Sequence, residues 1–243
     1  MATYLLVPGA WLGAWAWQEV TAGLRAAGHE VFPLTLTGVA DRSHLCGPEV
    51  DLDTHATDIT RLIEVEELSD VVLVGHSHGG IAAAAAADRI PDRLARIVYV
   101  DSGPLPDGTA ELDLAGEPER ERTRALAGPD GQAPPRDWDP AADPQNLAGL
   151  DDAALALLRR RATGHPLGSM TQPMARSGDP FAVPATLVAC TFPLDQVRAM
   201  RDAGHPYFAL LAKADLVGLP TGHWPMFSEP ARLTEILDGI ARG

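Results

Sequence analysis

A stretch of ten residues, Val71 to Gly80, constrains the fold of this chain more than any other part of its sequence. It reads VVLVGHSHGG and is followed by an Ala-rich helical pattern from Ile81 to Ile90. The apolar start predicts a buried strand, so the G-x-S-x-G pattern centred on Ser77 falls on a strand-to-helix turn, as a nucleophilic serine requires. Gly75 and Gly79 lack a Cβ and can therefore flank so tight a turn. The alternative, a phosphate-cradling loop, lacks the Lys-Ser/Thr pair and the glycine spacing that such loops use.

Short apolar runs alternate with helical patterns along most of the chain. The predicted strands are Tyr4–Val7, Glu30–Leu34, Val71–Val74, Arg96–Val100, Thr186–Cys190 and Tyr207–Leu211. The predicted helices are Trp15–Ala27, Asp53–Glu67, Ile81–Ile90 and Glu229–Ala241. Strands that alternate with helices predict an α/β fold with a mostly parallel, six-stranded sheet flanked by helices.

Residues 104–184 interrupt this alternation. They are rich in Pro, Gly and acidic residues, and their one clear helical pattern is Asp151–Arg161. We expect residues 1–103 and 185–243 to form the core, with residues 104–184 inserted as a small helical lid. A long surface loop is the alternative, but loops of this length are uncommon in compact domains.

A nucleophilic serine needs a histidine as base, and the chain has eight histidines. His223 lies between the last predicted strand and the last predicted helix, in a loop expected at the carboxyl end of the sheet, where open α/β sheets place their sites. His76 and His78 lie within the serine turn and cannot easily reach Ser77 with their rings, although the backbone N–H of His78 can face an oxyanion. His165 and His205 lie beside Gly or Pro and are interpreted as turn residues. His223 is therefore the predicted base.

Two carboxylates qualify by position as the acid that orients this base. Asp101 directly follows the strand next to the serine turn, whereas Asp195 lies five residues beyond the strand Thr186–Cys190. A carboxylate at a strand end is held more rigidly than one in a loop, which favours Asp101 and keeps Asp195 as the alternative. Asp195 also suits the N-terminus of a helix, and Asp215 is a remote third candidate.

Charge and cysteine content limit the partners of the chain. The 33 acidic and 19 basic residues give a net charge of −14, which disfavours a nucleic-acid partner and an anionic membrane surface. Two cysteines form neither a disulfide framework nor a four-thiolate metal site. No metal and no cofactor are expected. With no signal-peptide pattern at the N-terminus, the expected location is the cytoplasm. The expected partner is a small-molecule substrate, and a homodimer is left open.

These residues together resemble the α/β-hydrolase superfamily, and they are similar to its plant methyl-esterase and hydroxynitrile-lyase branch. The similarity is carried by Val7-Pro8-Gly9-Ala10-Trp11, by Gly13 to Trp17, by Leu24 to Val31, by the serine turn and by Gly222-His223, with a looser match over Ala153–Met170. The resemblance implies that the N–H groups of Ala10 and His78 form the oxyanion hole. It also implies that the first hairpin of the superfamily is absent.

The chain departs from that branch at several positions. Gly9 stands where the lyases carry Thr, and Trp224 stands where they carry Lys, so cyanohydrin cleavage is not expected. Pro8 replaces the usual His. The branch also carries an Asp soon after its penultimate strand, whereas this chain has Cys190-Thr191-Phe192-Pro193 there. That difference supports Asp101 as the acid.

The leading hypothesis is a serine hydrolase that cleaves a small or medium carboxylic ester through an acyl-enzyme. Five residues are predicted to line its apolar pocket under the lid: Trp11, Trp138, Met170, Met174 and Trp224. Ordinary core or lid packing explains each of them equally well. The second hypothesis is a natural-product thioesterase, cyclase or cofactor-free lyase on the same residues. The third is a non-catalytic protein that binds a small ligand.

Overall fold

A parallel sheet is the frame of the molecule. The computed structural model describes residues 1–242, of which residues 206 and 207 are described by their backbone alone. The strands in this part of the chain are β1 Thr3–Val7, β2 Glu30–Pro33, β3 Val71–His76, β4 Leu94–Val100, β5 Gln132–Ala133, β6 His165–Pro166, β7 Ala185–Ala189 and β8 Asp215–Gly218. Six of them form the main sheet in the order β2-β1-β3-β4-β7-β8, and every neighbouring pair is parallel. The predicted six-stranded α/β fold is confirmed.

Helices cover both faces of this sheet. They are α1 Gln18–Ala26, α2 Leu52–Val65, α3 His78–Arg89, α4 Glu117–Leu126, α5 Asp152–Arg161, α6 Leu167–Thr171, α7 Leu194–Asp202, α8 Pro225–Ser228 and α9 Pro230–Arg242. Successive residues of a strand point to opposite faces, so each central strand contributes to two apolar clusters. Leu5 and Leu73 pack with α2 and α3 on one face, whereas Tyr4 and Val74 pack with α1 and α9 on the other.

The strand order reverses beside β1, and this reversal positions the site. The chain passes from β1 to β2 on one side and then returns to β3 on the other side of β1. The loops after β1 and β3 therefore diverge and leave a crevice at the carboxyl end of the sheet, where ligands of open α/β sheets bind. Ala10 follows β1 and Ser77 follows β3.

The segment between β4 and β7 contains the predicted residues 104–184. It holds a 3-10 helix over Glu111–Leu114, helices α4, α5 and α6, and the antiparallel pair formed by β5 and β6. The expected helix Asp151–Arg161 is α5, and the Asp151 carboxylate accepts a hydrogen bond from Ala154 N–H at its N-terminus. Helix α4 was not expected, because its sequence EPERERTRAL buries no residue and shows little apolar pattern.

One predicted strand is wrong. The apolar run Tyr207–Leu211 lies in a 3-10 helix over Pro206–Leu211, and the sixth strand of the sheet is β8, four residues further on. The short run DLVG of β8 carries one acidic residue and is only partly buried at the sheet edge, so its hydrophobic pattern is weak. Asp215, the remote candidate for the acid, begins this strand and forms an ion pair with Arg96.

Candidate active site

Ser77 occupies a strained turn between β3 and α3. Its backbone angles are φ 51° and ψ −126°, a conformation that costs energy for any residue with a Cβ. The flanking glycines make the turn possible. A Cβ on Gly79 would lie 2.4 Å from the carbonyl oxygen of Pro8, and one on Gly75 would lie 2.5 Å from the carbonyl oxygen of Gly79. The serine is thus held at the end of β3 by close backbone packing.

His223 is fixed through its backbone as well as its ring. Its N–H donates to the carbonyl oxygen of Asn146 at 2.7 Å, and its carbonyl accepts from His76 Nε2 at 2.6 Å. Its ring Nδ1 lies 2.6 Å from Asp101 Oδ2. With Nδ1–H donated to a carboxylate, Nε2 is left as the basic nitrogen of the imidazole. The structure therefore brings together the predicted base and the preferred acid.

The Asp101 carboxylate is held from three sides. Oδ1 accepts the N–H groups of Cys190 and Thr191, each at 3.0 Å, and the Thr191 hydroxyl lies 2.9 Å from Oδ2. Burial by itself would raise the pKa of Asp101, but the bonds from His223 and Thr191 outweigh it and lower that pKa. Asp101 is therefore the ionised partner of His223.

The alternative acid, Asp195, lies elsewhere. Its side chain is 93% exposed in the first turn of α7 and forms an ion pair with Arg198. This is the helix N-terminal position that its sequence context also suits. The structure thus places Asp101, and not Asp195, against the histidine.

The backbone N–H groups of Ala10 and His78 are the predicted oxyanion donors near the serine turn. Ala10 follows β1, and His78 begins α3 directly after Ser77. Within residues 1–242, neither N–H donates to a protein acceptor. Unpaired donors beside a strained serine are suited to bind an oxygen that becomes negative during reaction.

A cavity of about 650 Å³ lies within the segment between β4 and β7, which supplies all of its described lining residues except Trp11; Ser77, Asp101 and His223 do not line it. Of the five predicted pocket residues, Trp11, Trp138 and Met170 line it. Trp224 packs between the rings of Trp138 and His223, at centroid distances of 4.9 and 5.0 Å, and so connects this cavity to the base. Trp11 and Trp138 both have positive φ, at 67° and 53°, as Ser77 does. Backbone strain is thus present in the cavity wall as well as in the serine turn.

Met174 does not belong to this lining. It is buried in the apolar cluster that α2 and α3 form on the opposite face of the sheet. A second, smaller cavity of about 240 Å³ is lined by Asp101 and His223 and by apolar side chains that include Leu187, Phe192 and Phe208. The base and the acid thus line the smaller cavity, whereas the larger one reaches His223 only through the ring contacts of Trp224.

Three buried histidines lie behind the serine turn: His55, His78 and His165. One ring nitrogen of each lies within 4.8 Å of the others, a spacing that a metal ion could use. Every ring nitrogen of the three is already hydrogen-bonded, however, to Thr37, Glu111, Trp11 or Ser169 or between His55 and His78. Burial lowers the pKa of His55 to about 3 and that of His165 well below its usual value. The cluster is thus a closed hydrogen-bond network.

Sequence reasoning missed three residues that support the site. Thr191 binds the acid, His76 holds the backbone of the base, and Glu111 contacts His78. Each lies far from its partner in the chain, so no local spacing indicates the contact. His76 was interpreted only as a residue of the turn. Burial lowers its pKa to about 3, which keeps its ring neutral.

A strained serine after a central parallel strand, with a histidine and a carboxylate at the same sheet edge, defines an α/β hydrolase. Residues 4–236 match the alpha/beta hydrolase family, and the chain belongs to that family. The predicted family and fold are confirmed.

Similar proteins are esterases. A carbendazim-hydrolyzing esterase of a Nocardioides species is 49% identical over 102 residues, which cover 42% of this chain and 42% of that enzyme. Methylesterase 7 of Arabidopsis thaliana is 29% identical over 278 aligned positions, covering 98% of this chain and 95% of the relative. These relatives agree with the predicted carboxylic ester hydrolase.

Solved structures show the same fold. An extracellular α/β-hydrolase from a Paenibacillus species superposes with a TM-score of 0.76 at 19% identity, covering 98% of each chain. A methylesterase from Arabidopsis gives a TM-score of 0.76 at 19% identity, covering 100% of this chain and 99% of the other. At this identity the likeness extends to the fold alone. No helix within residues 1–242 has the length and apolar character needed to cross a membrane.

Proposed function

We propose that this protein is a serine hydrolase that cleaves small or medium carboxylic esters through an acyl-enzyme. The observation that carries the proposal is the 2.6 Å bond between His223 Nδ1 and Asp101 at the sheet edge where Ser77 stands in its strained turn. His223 Nε2 takes the proton of the Ser77 hydroxyl as the serine oxygen attacks the ester carbonyl. Asp101 orients the imidazole and stabilises its charge.

The oxyanion formed in this attack is bound by the N–H groups of Ala10 and His78. Each such donor lowers the barrier by about 3 kcal/mol in well-studied hydrolases. The protonated His223 then gives its proton to the leaving alcohol, and the ester C–O bond breaks. A water molecule, deprotonated by His223, attacks the acyl-enzyme and releases the carboxylic acid and Ser77.

The proposed substrate is a small molecule with an apolar or aromatic group. Trp11, Trp138 and Met170 line the large cavity, and the buried ring of Trp224 contacts both Trp138 and His223. We propose that residues 104–184 act as a lid on a core formed by residues 1–103 and 185–243, because this segment supplies much of the cavity wall. Because one relative is named a methylesterase, methyl esters are a further class of substrate to test. The cytoplasmic location stays a prediction, and a homodimer stays open.

The test is hydrolysis of p-nitrophenyl esters over a series of acyl lengths, together with methyl esters, by the wild type and by Ser77→Ala. We expect the variant to lose at least about 10⁴-fold in kcat, because the nucleophile is removed. A fluorophosphonate should modify Ser77 of the wild type alone, which mass spectrometry of the labelled peptide would locate. Turnover that survives in Ser77→Ala would contradict the proposal. An inactive wild type would favour the lyase, cyclase or binding hypotheses.

A further inference from the structure

A carboxylate of the proposed lid contacts the side chain of His78, the residue that directly follows Ser77. Glu111 begins the 3-10 helix Glu111–Leu114, and its Oε2 contacts Nδ1 of His78. The His78 side chain is fully buried, while the Glu111 side chain is 21% exposed at the wall of the large cavity. The residue that carries a proposed oxyanion N–H is therefore bound through its ring to residues 104–184.

The hydrogen bonds around His78 fix where the protons lie. His55 Nε2 lies 2.9 Å from the carbonyl oxygen of Thr37, which only accepts, so this nitrogen carries a proton. His55 is neutral, so its Nδ1 is an acceptor. His78 Nε2 lies 2.9 Å from that nitrogen and must therefore be the donor. One further proton remains to be shared between His78 Nδ1 and Glu111.

The relative basicity of the His78 imidazole and the Glu111 carboxylate determines which of them holds this proton. Imidazole is a stronger base than carboxylate, and a direct contact between the two favours their charged forms. The Glu111 carboxylate also retains contact with the cavity, whereas the aromatic rings that contact His78 are those of His55 and His165. Both are neutral, since burial lowers the pKa of each. Glu111 is therefore the one group in this network that can balance a charge on His78.

We propose that Glu111 is a positioning residue for the oxyanion hole: its carboxylate keeps the ring of His78 doubly protonated and anchored. A positive charge then lies on the residue whose backbone N–H faces the developing oxyanion, and the contact also fixes the start of α3 against the lid. This inference rests on the proposed function, because it assigns Glu111 a role in the same reaction.

Glu111→Gln tests the proposal, because glutamine keeps the size and can hydrogen-bond but carries no charge. We expect kcat for a p-nitrophenyl ester to fall about tenfold, with KM changed less than about twofold, since the charge acts on the transition state. The matched control is Glu117→Gln, which removes a lid carboxylate that pairs with the guanidinium of Arg120 instead. It should retain wild-type kcat. An unchanged kcat in Glu111→Gln would overturn the proposal, because an amide can replace a neutral carboxylic acid as donor to His78.

A double-mutant cycle asks whether Glu111 acts through His78. His78→Gln removes the ring and keeps the backbone N–H, so adding Glu111→Gln to it should change kcat by less than about twofold. An equal loss from Glu111→Gln in both backgrounds would overturn the proposal, because Glu111 would then act elsewhere.

Nuclear magnetic resonance of histidine ring nitrogens gives a readout that does not depend on turnover. We expect the wild type to contain a buried, doubly protonated imidazole assigned to His78, and Glu111→Gln to show the neutral ring protonated at Nε2. A neutral His78 in an active wild type would overturn the inference and leave the proposed function standing. A doubly protonated His78 in a wild type without esterase activity would overturn the proposed function while confirming the charged pair.

Discussion

At the scale of single residues, the ends of two neighbouring strands, β4 and β7, together position the acid of the site. The segment after β7 carries no acid next to the base, but its Cys190 and Thr191 donate three hydrogen bonds to the carboxylate of Asp101, which follows β4. Asp101 itself has φ 46°, so its backbone is strained like that of Ser77. The strand end without the carboxylate thus holds the carboxylate of the adjacent strand.

Asp101→Asn should reduce kcat about 10³–10⁴-fold, because an amide in place of the carboxylate favours the wrong tautomer of the histidine. The matched control, Asp195→Asn, should stay within about twofold of the wild type, since its carboxylate is exposed and pairs only with Arg198. The measurement is kcat for one p-nitrophenyl ester in the three proteins. A large loss of kcat in Asp195→Asn with little loss in Asp101→Asn would instead identify Asp195, in the loop after β7, as the acid.

Local pattern and topology were enough to predict that Ser77, His223 and Asp101 lie at the same edge of the sheet. Each follows or precedes an element whose direction in a parallel sheet is known, so all three fall at one edge. Thr191, His76 and Glu111 were not predictable in this way. Their partners are 90, 147 and 33 residues away in the chain, and their roles depend on side-chain directions that no periodicity encodes.

At the scale of elements, the serine turn depends on the close approach of α3 to the end of β1. A Cβ on Gly79 would meet the carbonyl oxygens of both Pro8 and Val7, at 2.4 and 2.6 Å. Neither oxygen can move without shifting the loop that carries Ala10. A change in the packing of α3 against β1 would therefore also change the geometry of the proposed oxyanion hole.

Gly79→Ala should lower the free energy of unfolding by about 3 kcal/mol, because the added methyl group is forced against backbone atoms. It should also abolish labelling of Ser77 by a fluorophosphonate. Gly239→Ala is the matched control at an exposed position of helix α9, where nothing lies within 4 Å of the added atom. That variant should gain up to about 1 kcal/mol from helix propensity. Urea denaturation of the two variants and the wild type measures the difference, and equal stabilities would contradict it.

The elements that sequence predicted best have a strong apolar pattern. Strands β1, β3 and β4 are almost wholly buried, and their predicted positions agree with the structure. The run Tyr207–Leu211 was apolar enough to predict a strand, yet it lies in a 3-10 helix that buries Phe208 and Leu211. Strand β8 lies at the edge of the sheet, where partial exposure weakens the pattern.

At the scale of the whole molecule, buried neutral histidines link stability to pH. Burial lowers the pKa of His55 and of His76 to about 3, and lowers that of His165 as well. In the unfolded chain these rings bind protons with an ordinary pKa of about 6.5. Their contribution to stability is therefore complete above pH 6.5 and is lost progressively as the pH falls toward 3.

The free energy of unfolding of the wild type should fall between pH 7 and pH 5 by about 2 kcal/mol for each such histidine, because the unfolded state gains protons that the native state cannot bind. His55→Gln should lose about 2 kcal/mol of this pH dependence, since glutamine can still donate to Thr37 and accept from His78 but does not titrate. His44→Gln, at an exposed position, is the matched control and should retain the wild-type slope. Urea denaturation at the two pH values provides the comparison. A wild-type stability that is constant or rises toward pH 5 would show that these rings are protonated in the native state, and the closed hydrogen-bond network behind Ser77 would then have a different proton arrangement.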